Sequence, residues 1–85
     1  MYIISIPNKK VRSQLEDYIK QRNSIKEKLN LLRDNPRKNC GAHSLKGKLQ
    51  GKWACWLGSN IRAMYLIDDL RKIVIITAIG THKIY

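Results

Sequence analysis

Negative charge is scarce in this sequence. Only 6 of its 85 residues are Asp or Glu, against 17 Lys and Arg, which leaves a formal net charge of +11. Between Asn35 and Ile67 there is no acid at all, while Arg37, Lys38, Lys46, Lys48, Lys52 and Arg62 fall in that stretch together with His43. Such an excess favours polyanionic partners, either nucleic acid or an acidic protein. Long apolar runs are also missing. None reaches the roughly 20 residues that a membrane span needs, and no basic segment precedes the short apolar run of Met1 to Pro7, so a cytoplasmic protein without leader or membrane segment is expected. The basic residues are spread over several elements instead of lining one apolar helix, which sets a membrane surface aside. Cys40 and Cys55 stand alone, without the C-x-x-C pairing of a metal site or the density of a disulfide scaffold. Cys55, between Ala54 and Trp56, reads as a small core residue. Carboxylate pairs, metal-ligand clusters, a nucleophilic Ser or Cys with a base, and a phosphate-cradling Gly loop are absent as well. No cofactor or metal is expected.

A chain of this length has room for one domain, residues 1–85, burying only about 60% of its unfolded surface. Tyr2 to Ile6 is a β-branched run closed by Pro7, which suits a strand. The period then changes. Val11, Leu15, Tyr18 and Ile19 recur at helical spacing after the candidate N-cap Asn8, and Ile25, Leu29 and Leu32 repeat it after Asn23 or Ser24. Asp34, Asn35 and Pro36 stop the second segment, giving a helical hairpin or one helix broken near Asn23. Pro36 to Gly51 is loop-like. Three runs follow, Lys52–Leu57, Ile61–Ile67 and Lys72–Ile79, separated by the turn residues Gly58, Ser59 and Asn60 and by Asp68 and Asp69. They predict an antiparallel meander whose last strand, apolar almost throughout, is covered on both faces. The expected fold is α+β in the order β-α-α-β-β-β, two helices on one face of a mostly antiparallel four-stranded sheet.

The acid-free stretch is either RNA or DNA backbone contact or simply an exposed polar loop, although polarity alone does not explain the missing acids. In "IRAMYLI", alternation sends Ile61, Ala63, Tyr65 and Ile67 to one side and Arg62, Met64 and Leu66 to the other. Arg62 then either meets a phosphate with its planar fork or snorkels to water. Trp53 and Trp56 each lie in a predicted strand, as core or sheet-face residues. His82 follows the last run by two residues, past Gly80 and Thr81, and histidine exchanges protons near neutrality because its reference pKa is about 6.5. Strand ends that brought Arg62 near His82, with His43 and Lys46 from the loop, would assemble cation, imidazole and phenol. That inventory suits RNA cleavage by the substrate's own 2′-hydroxyl without a metal.

The stretch "HSLKGKLQGKWACWLGSNIRAMYLIDDLRKIVIITAIGTHKIY" resembles the C-terminal half of the RelE/YafQ superfamily of toxins from type II toxin–antitoxin modules. The shared features are an H-x-L-x-G-x-L-x-G opening at His43, an R-x-x-Y strand at Arg62, and a final strand ending in Gly80-Thr81-His82 and an aromatic. The N-terminal strand and helix pair agree in order and length. The resemblance implies a RelE-like fold and a ribosome-dependent endoribonuclease that enters the A site, cuts messenger RNA and stops translation. It also implies an acidic antitoxin that holds the toxin inactive. By position it makes His82, Arg62, His43 and Tyr85 catalytic, with Lys46, Lys48 and Lys52 as RNA contacts and Arg37 and Lys38 beside them on the basic stretch. Trp56 and Asn60 stand where the YafQ branch has a histidine and an acid. A binding module of the same fold without chemistry, blocking the ribosome or carrying RNA by charge and by stacking on Trp53, Trp56 or Tyr85, is the alternative.

Overall fold

The computed structural model describes residues 1–58 and 60–81. The chain forms β1 (Ile3–Ser5), α1 (Lys9–Gln21), α2 (Ser24–Asp34), β2 (His43–Ser44), β3 (Trp53–Trp56), β4 (Arg62–Asp68) and β5 (Ile73–Gly80), with short 3₁₀ turns at Asn39–Gly41 and Gly47–Leu49. The sheet has five strands in the order β1-β5-β4-β3-β2. β1 runs parallel to β5 and every other pair is antiparallel.

The fifth strand departs from the expected four. His43 and Ser44 pair with Ala54 and Trp53 inside the segment that reads as loop. Both residues are exposed, so β2 carries no alternating apolar signature and is held by backbone pairing to an edge.

α1 starts as its sequence directs. The Asn8 side-chain oxygen accepts from the backbone N–H of Lys10 at 2.9 Å and of Val11 at 3.2 Å, satisfying two donors that the helix leaves open. The break near Asn23 separates two helices. Val11 and Leu15 of α1 and Ile25 and Leu32 of α2 are buried in one cluster with Cys55, Leu57, Ile61, Ala63, Tyr65, Val74, Ile76 and Ile79. Both helices therefore cover one face of the sheet, and the apolar burial of that face drives their docking. Tyr65 is fully buried at its centre, which is tolerable because its hydroxyl donates to the Pro36 carbonyl at 2.6 Å. Burial pushes its phenol pKa up.

β5 is apolar for a different reason from burial on both sides. Its register with β4 shifts between Met64 and Tyr65, leaving Thr77 as an extra residue between Ile76 and Ala78. The Thr77 hydroxyl donates to the Met64 carbonyl at 3.2 Å. A bulge reverses which face later residues take. Val74 and Ile76 point into the core before it and Ile79 after it, whereas Ile73 and Ile75 are only half-buried. The same phase change puts Gly80 opposite Arg62, on the helix-free face.

Candidate functional site

The helix-free face is organised in cross-strand rows. Trp56, Arg62 and Gly80 form the row at one end, and His43, Ala54, Met64 and Ala78 form the next. Alternation sets this: Trp53, Cys55, Ala63 and Tyr65 turn inward, so Trp56, Ala54, Arg62 and Met64 turn outward. Met64 and Ala54 are themselves buried, and Arg62 is half-buried.

The Arg62 guanidinium lies over the Trp56 ring, 4.0 Å from its centroid. Stacking orients the guanidinium plane, and Arg tolerates partial desolvation better than Lys because its charge is delocalised. Trp56 is 36% exposed, unlike Trp53, which packs against the core. Gly41 borders the indole. A Cβ there would come within 3.0 Å of Trp56 Cδ1, and the backbone φ of +63° is one that glycine adopts freely. The residue before it, Cys40, has φ 60° although it carries a side chain, a strain of about 1–2 kcal/mol. Its thiol donates to the Lys28 carbonyl at 3.1 Å and so ties the turn to α2.

His43 is exposed on the same face, two strands from Arg62 and one row along. From strand spacing and rise the two Cα atoms are about 12 Å apart, within reach of a common phosphodiester for two long side chains. The His43 Nδ1 lies 3.1 Å from the Gly41 carbonyl oxygen. A carbonyl only accepts, so Nδ1 is the donor and neutral His43 keeps its lone pair on Nε2.

The remaining expected residues divide. Lys46 and Lys48 are exposed around the Gly47–Leu49 turn, and Lys52 is half-buried at the start of β3. Leu45 N–H donates to the Lys52 carbonyl, so this lysine group lies beyond the Ser44 end of β2, away from Gly41 and Trp56. Lys38 is exposed just before the Asn39–Gly41 turn. Arg37 is engaged elsewhere. Its two terminal nitrogens bind the Asp69 carboxylate at 2.9 and 2.6 Å, and the Tyr2 hydroxyl donates to the same carboxylate at 2.6 Å. These hydrogen bonds, that from Arg37 foremost, hold the Asp69 pKa down to about 2 and raise that of Arg37. Asp69 lies just past the end of β4, seven residues on from Arg62 and about 23 Å away at strand rise, so the Arg37 fork is held toward the other end of that strand. His82 and Tyr85 lie outside the described residues. The register does bring Gly80, two residues before His82, opposite Arg62.

The sequence pattern does not single out Gly41, and it names Trp56 only beside Trp53 and Tyr85, as a stacking residue of the binding alternative. The run Trp53–Leu57 holds the signal, because once Trp53, Cys55 and Leu57 are assigned to the core, alternation leaves Trp56 on the face of Arg62. Cys40 and Cys55 are free thiols, and burial pushes that of Cys55 up to about 12. Among the described residues no group of three or more His, Cys, Asp or Glu is placed to hold a metal ion, and no helix is long and apolar enough to cross a membrane.

No protein-family model matches the sequence, and no curated protein is significantly similar to it. Solved structures are similar over nearly the whole chain. The YoeB/ParE toxin from Agrobacterium tumefaciens has 17% identity over 94% of this chain and 98% of its own, with a TM-score of 0.73. The RelBE2 toxin–antitoxin complex from Mycobacterium tuberculosis matches at 19% identity, 95% and 98% coverage and a TM-score of 0.70. A copper-bound L66S mutant toxin from Helicobacter pylori matches at 19% identity over all of both chains, with a TM-score of 0.70. The chain thus has the fold of the RelE/YafQ/YoeB type of toxin from toxin–antitoxin systems.

Proposed function

We propose that this protein is the toxin of a toxin–antitoxin pair and acts in the cytoplasm as a ribosome-dependent endoribonuclease, cutting messenger RNA in the A site and so inhibiting translation. The observation that carries the reading is that Arg62 and His43 share one helix-free sheet face, on a scaffold shared with toxins of toxin–antitoxin systems. The substrate's 2′-oxygen attacks phosphorus while the bond to the 5′-oxygen breaks. His43 Nε2 takes the 2′-proton, with Tyr85 as the alternative base. His82, from beyond Gly80, protonates the leaving oxygen. Arg62 neutralises the charge that builds on the phosphoryl oxygens. Lys46, Lys48, Lys52 and Lys38 hold the flanking RNA backbone by charge. Arg37 keeps at most a peripheral part, since its fork is already occupied by Asp69. The products are a 2′,3′-cyclic phosphate, which opens to a 3′-phosphate, and a 5′-hydroxyl end. No metal or small-molecule cofactor enters this scheme.

The partner is an acidic antitoxin. The net charge of +11 favours one, and the RelBE2 neighbour is a toxin–antitoxin complex. A groove of about 480 Å³ between β1 and α2, with Ile3, Ile4, Leu15 and Leu29 in its lining and Lys26 and Arg33 beside them, suits an apolar segment bearing acids.

One observation favours a second reading. Trp56 in place of a histidine suits a module that grips RNA without cutting it. Primer extension on ribosome-bound message separates the two. Cleavage predicts new 5′-hydroxyl ends that persist in a chelator, while binding alone predicts stalling without new ends.

A further inference from the structure

We infer that Trp56 is a nucleobase-stacking platform beside Arg62, so that the site takes single-stranded RNA by an unstacked base as well as by its backbone. A third of a large apolar side chain is left open on a strand that has partners on both sides. Trp53, three residues earlier, packs against the core, so the exposure follows from the outward face and not from a poorly formed strand.

A second observation is independent of burial. Cys40 and Gly41 take left-handed conformations in succession, which carries the chain past the indole edge at a residue with no side chain to cover it. Any other residue at 41 would press on Cδ1. The Arg62 guanidinium, 4.0 Å over the ring, makes a layered cation–π pair to which the flat face of a base adds. Bases inside a duplex keep their faces covered, so the ligand is single-stranded. Stacking is tolerant of sequence, and a purine offers more area than a pyrimidine. The base next to the phosphate held by Arg62 is the one in reach.

The inference takes its ligand from the RNA-cleaving reading, but binding and cutting are separable. The probe is a hexaribonucleotide with 2′-fluoro riboses, which lack the attacking hydroxyl, and a central 2-aminopurine. A second probe is the same strand with that base removed. Wild-type protein should quench the 2-aminopurine, and Trp56→Ala should bind the complete strand about tenfold more weakly. Trp56→Phe, which keeps an aromatic face, should stay close to wild type. On the abasic strand all three should bind alike. Trp56→Leu replaces the alanine variant if that one melts below the assay temperature.

Equal binding of the complete strand by wild type and Trp56→Ala overturns the platform. So does an equal loss on both strands, which would mean that Trp56 acts only by positioning Arg62. Wild-type protein that binds neither strand also overturns it, and is what an indole reserved for a protein partner would give. Cleavage of message that does not depend on Trp56 removes the platform and leaves the nuclease. Binding that depends on Trp56, by a protein that makes no new ends, does the reverse.

Discussion

Two arginines lie over the two tryptophans that begin and end β3, on opposite faces of the sheet. Arg37 sits 5.8 Å from the centroid of Trp53 and Arg62 sits 4.0 Å from that of Trp56. The first pair is closed by a carboxylate, since Asp69 takes both arms of the Arg37 fork and a bond from Tyr2. It fastens the chain after α2 to the β4–β5 turn. The second pair has Gly41 and Gly80 beside it and His43 one row away. The same two side-chain types thus form a carboxylate clasp at one end and a stacked cation–π layer on the helix-free face at the other.

The largest expected effect sharpens this contrast. Arg62→Ala should lower message cleavage by about 100-fold or more while the melting temperature barely moves, because a cation facing developing charge matters to the transition state and not to the core. His43→Ala should cost about the same, within the usual range of 10² to 10⁴ for a general base. Cleavage by either variant at the wild-type rate would detach that residue from the chemistry. Two further substitutions read stability. Tyr65→Phe strands the Pro36 carbonyl inside the protein and should destabilise it by about 1–2 kcal/mol. Gly41→Ala forces a left-handed alanine against the indole and should cost about 1–2 kcal/mol, with a change in Trp fluorescence.

The smallest effect belongs to the clasp. Asp69 has its carboxyl pKa lowered from 3.8 to about 2 in the folded protein. A depressed acid stabilises above its unfolded pKa, and that contribution disappears as pH falls through the folded value. Asp69→Asn should therefore melt slightly below wild type at neutral pH, with the gap closing between pH 4 and pH 2. A gap that persists at pH 2 would mean that the asparagine disturbs something besides the ion pair. High salt should shrink the gap too, since both side chains are exposed.

Local chemistry makes much of this legible. Asn8 as cap, the helical spacing of Val11 to Ile19, and the two-sided pattern of Ile61 to Ile67 each have a mechanism that acts within a few residues. What escapes is either too short or too distant. β2 is two exposed residues held by backbone pairing, with no side-chain pattern to read. The Arg37–Asp69 pair spans 32 residues, and nothing near Arg37 in the chain signals that its fork is taken. The Thr77 bulge is hidden because both phases of β5 are apolar, so the run looks buried on two sides when it changes sides once. At the candidate site, Arg62 and His43 stand out by residue type, while Trp56 stands out only as one of three aromatics, because a tryptophan in a strand is usually core.

Parallel primer extension with Arg62→Ala and Arg37→Ala on ribosome-bound message tests the division between the two ends most directly. Arg62→Ala should lose the new 5′ ends while keeping its melting temperature, and Arg37→Ala should keep the ends while melting lower. Undiminished cutting by Arg62→Ala, or loss of cutting in Arg37→Ala alone, would contradict it.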